Sequence, residues 1–517
     1  MTDDASVGCP LWAVRRFRAL LLSSQWQVIF SLSALVVVAL SLRVFHLGAE
    51  SLWLDETASV WIASRPLRGV LAGELTNPPL YYLLLHFWIA VFGGGEAAIR
   101  WFSVWPSLAA VLLIYVLGKR LYDHRVGLLG AGLAAVSPYQ IYYAQEARAF
   151  SLLLFLSLCS TLALHVAFVR PAERSSFWPF LWYAVTVIAA LHTHFHGVFL
   201  LAAHNVVVLI HWREHRVRLR SWVLVQAIVL LAFMPWLITM LQTASTSGGQ
   251  VRRYLPLKLP EAVVSFLVGD TLVPFDEAAV LNVRETLRSN LHLIVAFTIG
   301  FGIYTVSAVR APAARRYGGV FCAVMLSVVL LAPFAISFKL MIFDRRYVIA
   351  ASPYLYLLLA AGALYLHDLA VRRSVPALAM QGIAGVIVVG LVGLSLFNYY
   401  FNPRFGKEEW REVVAFVEAG YLPGDLVVFD PGYLSVSYEY YSRRRVAGLV
   451  LAPDLADVDG PGWRRAREAL DQHERVWLLR SHLVSDVVLP RLRGSFREMT
   501  HRHFPKAKGI DVYVLER

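Results

Sequence analysis

The chain has 517 residues, of which 58% are hydrophobic and only 16% are charged. A soluble domain carries about 25% charged residues, and no single soluble core hides this much apolar surface. An ordinary soluble enzyme, a coiled coil and a disordered chain are therefore excluded. The net charge of +13 falls in short basic clusters between apolar runs, which is the pattern of a membrane protein rather than that of a nucleic-acid-binding surface. Three cysteines are too few and too scattered for a disulfide framework or a cysteine-ligated metal site.

The N-terminal region predicts a retained membrane anchor. An acidic start and Arg15, Arg16 and Arg18 precede an apolar run that begins near Val28, and no small-residue cleavage site follows that run. The basic residues before the first span place the N-terminus in the cytoplasm.

Eleven apolar runs are predicted to cross the membrane, since a spanning helix needs about 20 mostly apolar residues. They lie near residues 28–45, 98–118, 126–143, 149–169, 178–192, 197–212, 221–241, 290–309, 318–337, 347–366 and 377–397. A shorter run, 78–92, is predicted to lie in the interface or to dip in and return, because only then do nearly all later basic loops fall on the cytoplasmic side. The turn at 338–346 is the exception, and its basic residues on the outer face suggest that the protein acts on an anionic substrate.

The predicted architecture is a polytopic α-helical membrane domain at residues 1–397, followed by a soluble α/β domain at residues 398–517 outside the cytoplasm. Two further outer-face segments are expected at 46–97 and 242–289. In the soluble domain a helix is predicted over 407–419, and strands over 426–429, 446–451, 476–479 and 512–515. Alternating strands and helices favour a mostly parallel sheet.

The first outer loop contains adjacent carboxylates in the sequence W-L-D-E-T. Asp55 and Glu56 are expected close to the membrane surface, where such groups accept a proton from a hydroxyl or hold a cation. An acidic first turn of a helix, favoured by the helix dipole, is the structural alternative.

Two further motifs are predicted at the outer face. N-P-P-L-Y-Y combines a helix start after Asn77 with Tyr81 and Tyr82, which suit the headgroup region. Y-Y-A-Q-E-A-R-A-F contains Tyr143, Glu146 and Arg148, and charges near membrane depth are costly and usually functional. A plain interfacial helix and a simple Glu146–Arg148 ion pair are the alternatives.

Histidines and basic residues complete the outer-face candidates. H-T-H-F-H-G has histidines two residues apart, a spacing that does not converge on one metal ion in a helix, although a non-helical turn could bring them together. A hydrogen bond from one histidine to a phosphate or a sugar, and packing within the aromatic belt, are the favoured interpretations. Lys339, Arg345 and Arg346 share one turn, and the planar arginine fork suits phosphate oxygens. Lipid-headgroup anchoring is the alternative.

Taken in order, these motifs resemble the GT-C superfamily of membrane glycosyltransferases, and within it the branch of the protein mannosyltransferases and the lipid A aminoarabinose transferase. The resemblance covers about the first 350 residues. It implies that Asp55 is catalytic, that Glu146 is the second acidic residue of the site, and that Arg346, Arg345, Lys339 and Arg148 hold a donor phosphate. It implies a substrate-binding set consisting of Glu56, Asn77, Tyr81, Tyr82, Tyr143 and His194. Many members have Asp where Glu146 stands, and often His or Lys in place of Asn77.

The function expected from this resemblance is inverting transfer of a sugar from a polyprenyl-phosphate donor to a hydroxyl of a glycan, lipid or protein acceptor. A divalent cation (Mg, Mn or Zn) held by Asp55 and Glu146 is one way to stabilise the leaving phosphate, and the basic residues alone are the other. The expected location is the bacterial inner membrane, and no nucleic-acid partner is expected. The rival class is a transporter or flippase, which would carry ionisable groups through the middle of the bundle.

Overall fold

The computed structural model describes residues 24–71, 78–169, 177–213, 216–244, 255–272, 313–340, 342–373, 375–444, 446–450, 461–482 and 486–517. Asn77, the basic residues before the first span, the span expected at 290–309 and most of the loop expected at 242–289 lie outside these residues.

The membrane domain is a bundle of helices, most of which coincide with the apolar runs. Its described helices are α1 (Ser24–Val44), α2 (Leu54–Ala63), α3 (Leu67–Leu71), α4 (Leu80–Phe92), α5 (Glu96–Leu121), α6 (His124–Val136), α7 (Pro138–Ala144), α8 (Phe150–Val169), α9 (Phe177–Thr193), α10 (Gly197–Ile210), α11 (Leu219–Ala244), α12 (Leu255–Val268), α13 (Ala313–Ile336), α14 (Ser352–Arg373) and α15 (Val375–Phe401). Within the described ranges, seven helical segments are long and apolar enough to span a membrane. The chain is thus an integral membrane protein with several spans.

One run expected as a single span is two helices. Between α6 and α7, Ser137 has extended backbone angles and accepts a hydrogen bond from the amide of Gln140. Pro138 disfavours helical geometry at the residue before it and suits the first turn of the helix that follows. The break leaves α6 with 13 residues, about 20 Å of helix.

Helix α4 is short, and the chain before and after it contacts the same domain. Its 13 residues span about 20 Å, less than the roughly 30 Å of a bilayer core. The segments before and after it also contact the same surface of the C-terminal domain. Tyr441 accepts a hydrogen bond from the amide of Leu52 at 2.6 Å and donates one to Glu96 at 2.5 Å. The return of residues 78–92 to one face stays a prediction, and these contacts favour it.

The C-terminal domain follows α15 and contains a five-stranded sheet with helices on both faces. Its elements are α16 (Trp410–Gly420), β1 (Leu426–Asp430), α17 (Ser435–Tyr441), β2 (Ala447–Val450), α18 (Pro461–Asp471), β3 (Arg475–Arg480), α19 (Val488–Arg493), β4 (Arg497–Phe504) and β5 (Ile510–Glu516). Trp410 and Val413 of α16 pack on one face with Val427, and Leu470 and Leu489 pack on the other with Val428.

The sheet is mixed rather than mostly parallel. Its order is β2-β1-β3-β5-β4, in which β1 pairs in parallel with β2 and β3, whereas β5 pairs antiparallel with β3 and β4. Strand β4 was not expected from the sequence, because it is largely exposed and reads R-E-M-T-H-R-H-F, with few of the apolar residues that mark a buried strand.

Candidate active site

The candidate site is centred on Asp55, in the first turn of α2 at the end of the bundle that faces the C-terminal domain. Arg346 donates a hydrogen bond from Nη1 to Asp55 Oδ2 at 2.9 Å, and Arg148 Nη2 lies 3.7 Å from the same oxygen. Arg148 also donates to the Asp55 carbonyl oxygen at 3.2 Å and to Ser59 Oγ at 3.3 Å. The Asp55 side chain remains 28% exposed, so a partly open carboxylate lies between two guanidinium groups.

Arg346 belongs to the turn between α13 and α14. Ser337 Oγ folds this turn by accepting from the amides of Ile342 and Phe343, and Asp344 accepts from the Arg346 amide at 3.1 Å. Burial alone would lower the pKa of Arg346, but Tyr347, Asp344 and Asp55 together raise it above the usual value. The guanidinium is therefore permanently charged where it meets Asp55.

The other two basic residues of this turn are not in contact with Asp55. Arg345 forms ion pairs with Glu261 and with Asp270, the latter at 3.1 Å. Lys339 is exposed at the start of the turn, and its ammonium group takes no part in the ion pairs around Asp55. Of the four expected phosphate ligands, the structure brings Arg346 and Arg148 to the carboxylate and keeps Arg345 and Lys339 away from it.

Glu56, next to Asp55, is fully buried in an ion-pair network. Arg100 donates to both of its oxygens at 2.8 Å, Lys407 donates to Oε2 at 3.1 Å, and the Ala147 amide donates to Oε1 at 2.9 Å. Burial alone would raise the pKa of Glu56, but Arg100 and Lys407 hold it at about 2. The surroundings fit a structural role better than the substrate contact that the resemblance implies.

Glu146 follows α7 and is 1% exposed. Its Oε2 has no hydrogen-bond partner among the described residues. Burial raises the pKa of Glu146 to about 7, although Lys407 acts in the opposite direction. A buried carboxyl with a free oxygen is suited to receive a hydroxyl group, since such an atom is costly to leave unpaired.

The remaining candidates are aromatic side chains and one histidine close to the arginines. Tyr81, Tyr82 and Tyr143 are buried, and Tyr82 is close enough to Arg148 to influence its pKa. His194 Nδ1 accepts from the His196 amide at 3.2 Å, and its ring centre lies 5.0 Å from that of Tyr347. Burial, His196 and the arginines lower the pKa of His194, which keeps it neutral.

Asp55 and Glu146 do not form a cation site as they lie. Asp55 Oδ2 is hydrogen-bonded to Arg346, and three cationic side chains, Arg148, Arg346 and Lys407, surround the two carboxyl groups. No group of three or more potential protein ligands for a metal occurs in the part of the chain that the structure describes. The positive charges of these three side chains disfavour a divalent cation here, so the residues as placed do not fit the expected metal site.

A cavity of about 150 Å³ lies beside Arg345. Its lining consists of Pro138, Tyr139, Tyr142, Gly269, Asp270, Thr271, Arg345, Ser395, Tyr399 and Phe405. Tyr142 of this lining also lies near Lys407, whose Nζ is 5.9 Å from the tyrosine ring centre.

Sequence reasoning missed Arg100 and Lys407. Arg100 had a local signal, because it is a charge inside the apolar run 98–118 and such charges are rarely without a role. Lys407 had none, because its partner Glu56 is 351 positions away.

Comparisons with known proteins bear out the resemblance. Residues 76–239 match the family model described as dolichyl-phosphate-mannose-protein mannosyltransferase. Comparison with curated protein sequences finds no match.

The fold is similar to that of ArnT. The structure of ArnT from Cupriavidus metallidurans in the apo state has a TM-score of 0.58 at 12% identity, and the match covers 93% of this chain and 97% of that one. ArnT bound to undecaprenyl phosphate has a TM-score of 0.56 at 14% identity, with 95% and 98% covered. The Archaeoglobus fulgidus oligosaccharyltransferase complex with Zn and sulfate has a TM-score of 0.55 at 11% identity, with 87% of this chain and 67% of that chain covered. Residues 76–239 are thus similar to the protein mannosyltransferase family model, and the fold of the chain is similar to that of ArnT.

Proposed function

We propose that this membrane protein, with its protein mannosyltransferase segment and ArnT-like fold, is a glycosyltransferase that uses a polyprenyl-phosphate sugar as donor and a hydroxyl group as acceptor. The observation that carries the proposal is the half-open Asp55 carboxylate between Arg346 and Arg148 at the end of the bundle. A lipid-linked donor suits this position, because the lipid tail stays in the membrane among the helices while the phosphate and the sugar reach the end of the bundle where Asp55 lies. The ArnT structure that contains undecaprenyl phosphate supports the donor class.

Asp55 acts as the general base in this proposal. As the acceptor oxygen bonds to the anomeric carbon, its proton passes to Asp55. The bond between that carbon and the phosphate oxygen breaks, and its electron pair leaves with the lipid phosphate. One displacement of this kind inverts the configuration at the anomeric carbon.

Arg346 links donor binding to the activation of Asp55. Without substrate its guanidinium is engaged by the Asp55 carboxylate at 2.9 Å. A donor phosphate that competes for this group would draw the positive charge away from Asp55 and leave the carboxylate freer to accept a proton. Arg346 and Arg148 then stabilise the charge that develops on the leaving phosphate, a role for which preorganised guanidinium groups are well suited.

Glu146 is proposed to bind a hydroxyl group of the reacting sugars through its free Oε2. The chemistry needs no divalent cation, because two guanidinium groups already stand where the phosphate charge develops.

The location proposed for this reaction is the outer face of a bacterial inner membrane. Arg125 and Asp368, at the opposite end of the bundle, form an exposed pair at 3.3 Å, and the basic loops at that end suit the cytoplasm. The acceptor is a hydroxyl on a glycan, a lipid or a protein.

Transport is the weaker alternative. In the described bundle interior, Thr161 forms hydrogen bonds with His204 and Tyr354 at 3.0 and 2.7 Å. These groups form a small local cluster, whereas the charged groups around Asp55 gather at one end of the bundle.

The test is transfer by the purified protein in lipid vesicles, supplied with a panel of labelled polyprenyl-phosphate sugars and membrane extracts as the source of acceptor. We expect one donor to be consumed and its sugar to appear on an acceptor, identified by mass spectrometry, with the anomeric configuration inverted. Movement of intact donor across the vesicle without loss of its sugar would support transport instead.

A further inference from the structure

We infer that Lys407, at the start of the C-terminal domain, is a positioning residue that fixes the two carboxylates of the active site relative to each other. The catalytic meaning of this inference rests on the proposed function, whereas the contacts themselves do not. It assigns the C-terminal domain a part in building the site.

The side chain of Lys407 bridges the two segments that carry the carboxylates. Its Nζ donates to Glu56 Oε2 at 3.1 Å and to the carbonyl oxygen of Gln145 at 3.0 Å. Glu56 directly follows Asp55, and Gln145 directly precedes Glu146. One ammonium group therefore ties together the neighbours of both carboxylates, which lie about 90 positions apart in the chain.

The backbone around Lys407 is held as tightly as its side chain. The Lys407 amide donates to Glu50 Oε2 at 3.1 Å, and the Leu54 amide donates to Glu408 Oε2 at 3.2 Å. At Gly406 an added Cβ would come within 2.7 Å of Glu50 Oε1. Residues 406–408 are thus held against the segment that leads into α2, so the backbone position from which the Lys407 side chain extends is fixed.

An ammonium group is well matched to this position. It has three donors, and two of them meet a carboxylate and a backbone carbonyl within a side chain that is only 8% exposed. An uncharged replacement would leave the buried Gln145 carbonyl without its donor and would weaken the attachment of Glu56. Lys407 forms no hydrogen bond or ion pair with Asp55 itself, which is why we assign it a positioning role.

The experiment compares Lys407→Met with Lys407→Arg and with the matched control Lys506→Met. Lys506 belongs to the same domain, but its ammonium lies 3.9 Å from Glu409 and is 34% exposed. For Lys407→Met we expect kcat to fall about ten- to hundredfold, since small displacements of reacting groups cost this much, while KM for the donor changes less than about twofold. Lys407→Arg should restore part of kcat, and Lys506→Met should leave both constants unchanged.

Two further measurements keep the inference falsifiable. Gly406→Ala keeps the charge of Lys407 but shifts the backbone from which this side chain extends, so it should lower kcat in the same way. Hydrogen exchange should become faster in residues 53–57 and 145–148 of Lys407→Met and not of Lys506→Met, and this readout needs no activity.

Unchanged kcat in Lys407→Met, or equal losses in Lys407→Met and Lys506→Met, would overturn the inference and leave the proposed function standing. Absence of sugar transfer by the wild-type protein would count against the proposed function, and hydrogen exchange would then decide on Lys407. Unchanged exchange in both segments would refute it.

Discussion

Asp55 and Glu56 are adjacent in sequence, yet their carboxylates have opposite surroundings. Asp55 is partly open and shares one oxygen with Arg346 and Arg148, whereas both oxygens of Glu56 are occupied by Arg100, Lys407 and a backbone amide. Two successive side chains on a helix point in different directions, so an acidic pair naturally divides into one group facing the site and one facing the protein.

Arg345 and Arg346 are likewise adjacent in sequence and have different partners. Arg346 pairs with Asp55, whereas Arg345 pairs with two other carboxylates. Replacement of Arg346 by Ala should reduce kcat/KM for the donor about 10- to 100-fold, because a hydrogen bond to a charged group contributes about 1.5–3 kcal/mol. Arg345→Ala removes ion pairs to Glu261 and Asp270 and should change donor dependence much less. Initial rates over a range of donor concentrations give kcat/KM for both variants. Equal losses of kcat/KM would show that the two arginines do not have separate roles.

The buried pair between Glu56 and Arg100 joins two elements, α2 and α5. Breaking it with Arg100→Met should lower the free energy of unfolding by about 3–5 kcal/mol, because a buried carboxylate loses its main partner. Arg125→Met breaks the exposed pair with Asp368 and should cost less than about 1 kcal/mol. Denaturant unfolding in detergent compares them, and similar costs would mean that Glu56 is not held as the structure places it.

The same pair predicts a pH dependence of stability. Arg100 and Lys407 hold the pKa of Glu56 at about 2 in the folded protein, against burial, while an unfolded glutamate titrates near 4.5. A lowered folded pKa stabilises the protein above the unfolded pKa, and that stability is lost as the pH falls from about 4.5 towards 2. The thermal unfolding midpoint of the wild type should therefore drop more steeply over this interval than that of Glu56→Gln. Parallel curves would contradict the prediction.

Helix α4 predicts a specific membrane topology for the first outer loop. Single cysteines at Ser64 and Gly94, introduced without the three native cysteines, should both react with a membrane-impermeant maleimide from outside the cell, because both ends of this segment lie at one end of the bundle. A cysteine at Arg125 should react only after the membrane is opened. Protection of Gly94 together with reactivity of Ser64 would mean that α4 crosses the membrane.

At the scale of the whole molecule, the sequence predicted individual residues of the candidate site better than it predicted the contacts between them. The acidic loop motif and the basic turn identified Asp55 and Arg346, and charge between apolar runs predicted that both lie at one face. The direct contact between them depends on packing across 291 positions, which local pattern does not encode.

Sequence patterns did not predict several other features, and each has a physical reason. Lys407 carries no motif, and its role depends on how the C-terminal domain docks onto the bundle. The sheet is mixed because β5 pairs antiparallel with both β3 and β4. Strand β4 was not predicted, because an exposed strand of polar residues has no apolar alternation to reveal it. Arg345 shares the basic turn with Arg346, but only the fold shows that Glu261 and Asp270 neutralise it.

The most direct test of the account is donor turnover by Asp55→Asn in lipid vesicles, compared with Asp471→Asn, an exposed aspartate of the C-terminal domain. Folded Asp55→Asn should lose at least about a hundredfold in transfer, because general base catalysis contributes about 10²–10⁴, while Asp471→Asn should match the wild type. Near-normal transfer by folded Asp55→Asn would contradict the central claim that this carboxylate accepts the acceptor's proton.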